Sequence, residues 1–232
     1  MIVTFRNRSM KLLTEEQKER IKRAVEYAEK KTSGEIVPYI VQSSDVYLEA
    51  FFKSALIFNI IALFLFFTIY ELQNLGFLSQ WSKWDKYLTL PYVIIVTFIF
   101  TIIGFLICYI PPVRRFFAGK ELLDQRVHAR AKEAFLEREV FLTKNRTGVL
   151  LFISYFEHRV VVLGDSGINQ HVTQKDWEEI VQLIIQGIKN NDIASGIEKA
   201  IEKCGELLQK SGLAIAIDDI NEISNEITEK KD

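Results

Sequence analysis

Two uncharged apolar runs constrain this chain more than anything else in it. Ser54–Tyr70 reads SALIFNIIALFLFFTIY, and Leu88–Ile110 reads LTLPYVIIVTFIFTIIGFLICYI. With Phe51 and Phe52 the first run approaches about 20 residues, broken only by Lys53, whose amine can snorkel to an interface. The second extends about 34 Å at about 1.5 Å per helical residue, enough to cross the hydrocarbon core of a bilayer. Two such runs rarely fit inside a globule of 232 residues. The expectation is a transmembrane helical hairpin rather than a pair of buried core helices. In the connection, Trp81, Trp84 and Tyr87 suit an interfacial aromatic belt, with the two tryptophans as anchors. Pro111-Pro112 is expected to end the second span, because proline cannot continue a helix.

A hairpin returns both flanks to one side. Lys30, Lys31, Lys53, Arg114, Arg115, Lys120 and Arg126 flank the spans, against Lys83 and Lys86 in the connection. The positive-inside rule then places both soluble segments on the cytoplasmic side of an inner membrane. Arg114 and Arg115 serve that anchoring and could also meet anionic headgroups. Inside the runs, Asn59 and Gly104 mark a helix contact, either within the hairpin or with a partner's span. The N-terminal stretch has no apolar core of signal-peptide length, so no cleaved leader is expected. A net charge of −1 argues against nucleic acid as a partner. Cys108 and Cys204 form neither a disulfide framework nor a zinc motif.

The remaining sequence alternates helical and strand patterns. Thr14 with Gln17 forms a capping-box pattern ahead of Ile21, Ala24, Val25 and Ala28, and Thr32-Ser33-Gly34 stops that helix. Glu35–Val41 reads as a strand in which Pro38 marks an edge or a bulge. A helix is predicted from Lys120 to about Leu142, followed by a break at 145–148. Strands Val149–Ser154 and Arg159–Leu163 then form a hairpin. Thr173 with Asp176 caps the next helix, and Ser195 with Glu198 repeats the pattern for the last one, which Gly212 closes. The fold class is therefore α/β, a small mixed sheet sandwiched between helices, with the hairpin inserted. The expected divisions are 1–50 and 113–215 for the two parts of the α/β domain, 51–112 for the hairpin, and 216–232 for an acidic tail that frays.

Several ordered motifs are familiar together. Thr32-Ser33-Gly34-Glu35-Ile36-Val37 closes the first helix. Asn145-Arg146-Thr147-Gly148-Val149-Leu150-Leu151-Phe152 follows a helix rich in Phe and Leu. Arg159-Val160-Val161-Val162-Leu163-Gly164 precedes a capped helix containing Trp177. Over about residues 12–212 the chain resembles the TPM domain family, named for thylakoid-lumen, photosystem-repair and receptor-modulator members, and in particular its bacterial branch with a membrane hairpin. The resemblance implies an α/β/α sandwich around a short mixed sheet. It also implies support of the assembly or repair of membrane complexes, acid phosphatase activity in some members, and calcium or another divalent cation in some. Many members carry the domain outside the cytoplasm on a leader and one anchor. This chain departs from that pattern in its inserted hairpin and basic flanks.

Two polar clusters are candidate sites, at opposite ends of the sheet. Ser43, Ser44 and Asp45 follow the first strand, joined there by Tyr155 and Glu157. Glu35, Asn145, Arg146, Asp165 and Ser166 gather at the other end. A hard cation needs several oxygens, which Asp45 with Ser43 and Ser44, or Asp165 with Glu35, can offer; plain turn chemistry accounts for the same residues. Gly164-Asp165-Ser166-Gly167 matches in letters the nucleophile loop of trypsin-like proteases. A serine triad needs a histidine held beside Ser166, and His158 is separated from it by a whole strand. No catalytic residue is therefore assigned. The expected partners are the lipid bilayer and other membrane proteins, with a homo-oligomer left open. A non-enzymatic accessory factor is the first reading, and a divalent-cation-dependent, acid-phosphatase-like hydrolase is the alternative.

Overall fold

The computed structural model describes residues 2–4, 13–74, 86–169, 172–210 and 227–230. Trp81 and Trp84 lie outside the described residues. The chain divides into two compact units, one of residues 46–123 and one of the segments on either side.

In the larger unit, β1 (Ile2–Thr4) precedes α1 (Glu15–Glu29) and β2 (Ile36–Val41). The capping box forms as its sequence implies: Gln17 N donates to Thr14 Oγ1 at 3.2 Å, and Thr14 N donates to Gln17 Oε1 at 3.0 Å.

The smaller unit is built on α2 (Leu48–Asn74) and α3 (Lys86–Ile107), followed by α4 (Pro111–Ala118). Both long helices are apolar enough to cross a membrane, and only 6% of each span window is buried within the protein. A soluble core helix would be mostly covered. The seam between them buries small and polar residues beside the Phe51–Phe105 ring contact. Ser54 Oγ donates to the Gly104 carbonyl at 2.6 Å, and Asn59 Nδ2 donates to Thr101 Oγ1 at 2.9 Å. A Cβ on Gly104 would lie 2.9 Å from the Ala55 Cα, so glycine lets the backbones approach. Asn59 and Gly104 thus make a contact inside the hairpin. The expectation for the prolines is corrected. The second long helix has already ended at Ile107, and Pro111-Pro112 open α4, where a missing N–H costs nothing.

The larger unit resumes with α5 (Lys120–Glu137), which starts at its border. β3 (Val149–Ser154) and β4 (Arg159–Gly164) follow, then the short α6 (Ser166–Asn169), α7 (Gln174–Lys189), α8 (Ile193–Lys210) and β5 (Thr228–Lys230). The sheet order is β1-β4-β3-β2-β5. β2 runs parallel to both β3 and β5, while β4 is antiparallel to β3 and β1. Strand alternation sorts the faces. Ile36, Ile40, Leu151, Ile153, Val160 and Val162 pack under α1, α7 and α8. Val37, Tyr39, Val41, Leu150, Phe152 and Val161 pack under α5 through Val127, Ala131 and Ala134. This is the α/β/α sandwich.

Three expectations about element ends change. The predicted helix to Leu142 stops at Glu137, because Glu139 turns left-handed (φ 53) and a 3-10 turn, Val140–Leu142, folds back. That turn approaches so closely that a Cβ on Gly148 would lie 2.0 Å from the Val140 carbonyl oxygen. The last helix begins at Ile193 rather than after Ser195. Asp192 is its cap and accepts from Ser195 N at 3.1 Å. The tail expected to fray contributes β5, held by Lys230 Nζ on Glu137 at 3.0 Å. Pro38 sits on the stretch of β2 that β5 does not reach, so its missing N–H removes no bond to that neighbour.

Candidate functional site

In open α/β sheets, ligand sites favour the carboxyl ends of parallel strands. Here β2 and β3 are parallel neighbours and end level with each other, Val41 beside Ser154. The residues just beyond them converge on one carboxylate. Glu157 is 1% exposed. It accepts from Ser44 N at 2.7 Å, from Ser43 Oγ at 3.4 Å, and from the buried hydroxyl of Ser154. Ser44 Oγ and Ser154 Oγ lie 3.0 Å apart. This is a compact hydroxyl–carboxylate cluster that ties the β2 exit to the β3–β4 turn. The turn is closed by His158, which takes a left-handed φ of 56 and donates its N–H to the Tyr155 carbonyl.

Two ion pairs flank the cluster. Asp45 Oδ2 meets Arg126 Nε at 2.9 Å, and Asp124 Oδ1 meets the buried Arg159 at 2.6 Å. Arg159 also donates to the Glu157 carbonyl at 2.9 Å. Asp45 therefore turns its carboxylate to an arginine rather than to Ser43 and Ser44, although Ser43 Oγ donates to the Asp45 carbonyl at 2.8 Å. Tyr155 points to the other face, into the apolar core with α1, α7 and α8, and burial pushes its phenol well above the usual range.

At the opposite end of the sheet, Asp165 and Arg146 pair at 3.3 Å. Asp165 Oδ1 accepts from Ser166 N at 2.6 Å and so holds the first turn of α6. Gly167 N donates to the Arg146 carbonyl, and a Cβ there would lie 2.4 Å from the Asn145 carbonyl oxygen. Glu35 is buried, and its carbonyl accepts from Val149 N at 2.8 Å. The Gly-Asp-Ser-Gly letters thus encode a strand exit, a cap and a close backbone crossing. Ser166 is exposed. His158 stands at the far end of β4, so it cannot serve as the histidine of a triad with Ser166. Among the described residues, no group of three or more His, Cys, Asp or Glu side chains could hold a metal ion.

Sequence reading missed Ser154, Asp124 and Arg159, and it assigned Arg126 only to the basic flank. Ser154 ends an apolar strand, and a hydroxyl there carries no local signal. It also missed a network on the α5 face. Buried Tyr39 donates to Glu137 at 2.9 Å and accepts from Arg130 at 2.9 Å, while Lys230 closes on Glu137. Burial and the Glu137 bond raise the Tyr39 phenol above its ordinary range.

A family model described as the TPM domain matches residues 118–207, from the last residue of α4 to near the end of α8. Over that stretch the chain matches the TPM domain. The matched region holds Ser154, Glu157, Arg159 and Asp165, but not Glu35 or the Ser43-Ser44-Asp45 turn. The structure is similar to the NMR structure of the BA42 protein from the psychrophilic bacterium Bizionia argentinensis, with a TM-score of 0.55 at 21% identity. That likeness covers 95% of this chain and 97% of the other and extends to the fold. No curated protein matches the chain.

Proposed function

We propose that this TPM-domain protein is anchored in the inner membrane by α2 and α3, with both soluble segments in the cytoplasm. There it serves as a non-enzymatic accessory factor that supports the assembly, repair or regulation of membrane protein complexes. One observation supports the reading most. At the carboxyl end of β2 and β3, the serines and acids that could have served chemistry are bonded to one another and to arginines: Glu157 to Ser43, Ser44 and Ser154, Asp45 to Arg126, Asp124 to Arg159. Such an arrangement presents a rigid, satisfied surface. The basic flanks of the hairpin support the orientation.

The test is crosslinking of the full chain in native membranes, followed by identification of the bound proteins. Recovery of a defined membrane complex, reduced by charge reversal at Asp45 or Arg126, is the expected result. Divalent-cation-dependent cleavage of p-nitrophenyl phosphate by the purified chain, abolished by Asp165→Ala or Asp45→Ala, would overturn the non-enzymatic reading. A cysteine at Ser82 is expected to label from outside intact cells, and labelling only after permeabilisation reverses the orientation.

A further inference from the structure

Directly after α3 lies a short helix that packs beside α2. α4 reads PPVRRFFA, opens on an extended Ile110 and stops at Gly119, whose φ of +82 no other residue adopts readily. It is thus a bounded helix of its own and not a frayed end of α3. Phe116 is 79% exposed, the most exposed large apolar side chain among the described residues, and Tyr109 just before the helix is 65% exposed. Phe117 meets Phe116 edge-on at 5.4 Å, and the Arg114 guanidinium lies over the Phe51 ring at 6.0 Å. Exposed aromatic carbon and two adjacent guanidinium groups therefore share little more than one helical turn.

Chain length limits where this helix can be. From Ile107 to Pro111 an extended backbone reaches at most roughly 14 Å. If α3 spans a bilayer, α4 starts at or near its headgroup layer. Water is a poor environment for Phe116, whereas the acyl boundary buries the ring. Guanidinium forks match phosphate oxygens, and an anionic leaflet complements paired arginines.

We infer that α4 is an interfacial foot that binds anionic phospholipid. Phe116 and Tyr109 seat in the acyl boundary, and Arg114 and Arg115 engage the lipid phosphates. The inference rests on reading α2 and α3 as spans.

The test uses the full chain reconstituted in vesicles of phosphatidylcholine with or without phosphatidylglycerol. The added emission of Phe116→Trp over the parent is expected to be quenched by lipids brominated high in their acyl chains and shielded from aqueous iodide. Quenching by iodide and not by bromolipid overturns the inference, as does shielding from both, which would mean that protein covers the ring. Phosphatidylglycerol co-purifying with the chain is expected to fall about fivefold for each of Arg114→Gln and Arg115→Gln. An unchanged lipid ratio overturns the role of the arginines. A chain that fails to enter the vesicles at all refutes the spanning reading itself, an outcome distinct from all of these.

Discussion

Replacing Glu157 tests the candidate site most directly. Its carboxylate is buried and accepts from Ser44 N at 2.7 Å, from Ser43 Oγ, and from the Ser154 hydroxyl. In Glu157→Ala the two serine hydroxyls keep a use, since Ser44 and Ser154 Oγ are 3.0 Å apart and can bond each other. The Ser44 N–H has no such freedom. Leaving this half-buried donor unsatisfied costs about 1–3 kcal/mol, and loss of the buried charged acceptor adds to it, so the expected destabilisation is about 2–4 kcal/mol. Glu157→Gln retains an oxygen for Ser44 N and is expected to cost about 1 kcal/mol. The assay is hydrogen exchange, read by mass spectrometry on peptides covering Leu150–Ile153, with the full chain in detergent micelles. Those amides belong to the central strand, so their protection reports opening of the whole sheet. Exchange is expected to accelerate about 30- to 1000-fold in the alanine variant and about fivefold in the glutamine variant. An alanine effect below about fivefold, or equal effects of the two variants, refutes the acceptor argument.

Two further outcomes follow from the same geometry. Gly167→Ala drives a methyl against the backbone oxygens of Asn145 and Arg146 and is expected to lower stability by about 1–3 kcal/mol, whereas exposed Ser166→Ala stays within about 0.5 kcal/mol. Urea midpoints check this, and the reverse ranking would give the serine hydroxyl a role the cap does not need. Burial, with Lys132 nearby, lowers the His128 imidazole from its ordinary 6.5. The folded state therefore resists protonation more than the unfolded chain does. Stability is full above about pH 6.5 and is lost as pH falls from there through the folded value, a slope that His128→Gln is expected to flatten relative to the parent.

How much was legible follows the range of each signal. The capping boxes of Thr14 and Thr173, the β3–β4 hairpin and the two long apolar helices are carried by neighbouring residues, and all appear where their spacing implies. The pair Asn59 and Gly104 was readable as a helix contact, but not as one inside the hairpin. β1 and β5 carry only three residues each, too few for a period-2 pattern to show. The candidate site was half legible. Ser43, Ser44 and Glu157 could be grouped by following strand directions, whereas the hydroxyl of Ser154 and the pairing of Asp45 with Arg126 could not.

By itself the sequence determined the apolar hairpin, the helix caps and the alternating strands, because hydrophobic period and cap chemistry act over a few residues. Only the tertiary structure decided that β2 lies parallel between β3 and β5. Likewise it decided that Glu157 is claimed by Ser44, which lies 113 positions away, and that Asp165 serves as a cap. Those outcomes depend on which faces can be buried together and which buried donors then require an acceptor. That competition exists only once the layers have packed.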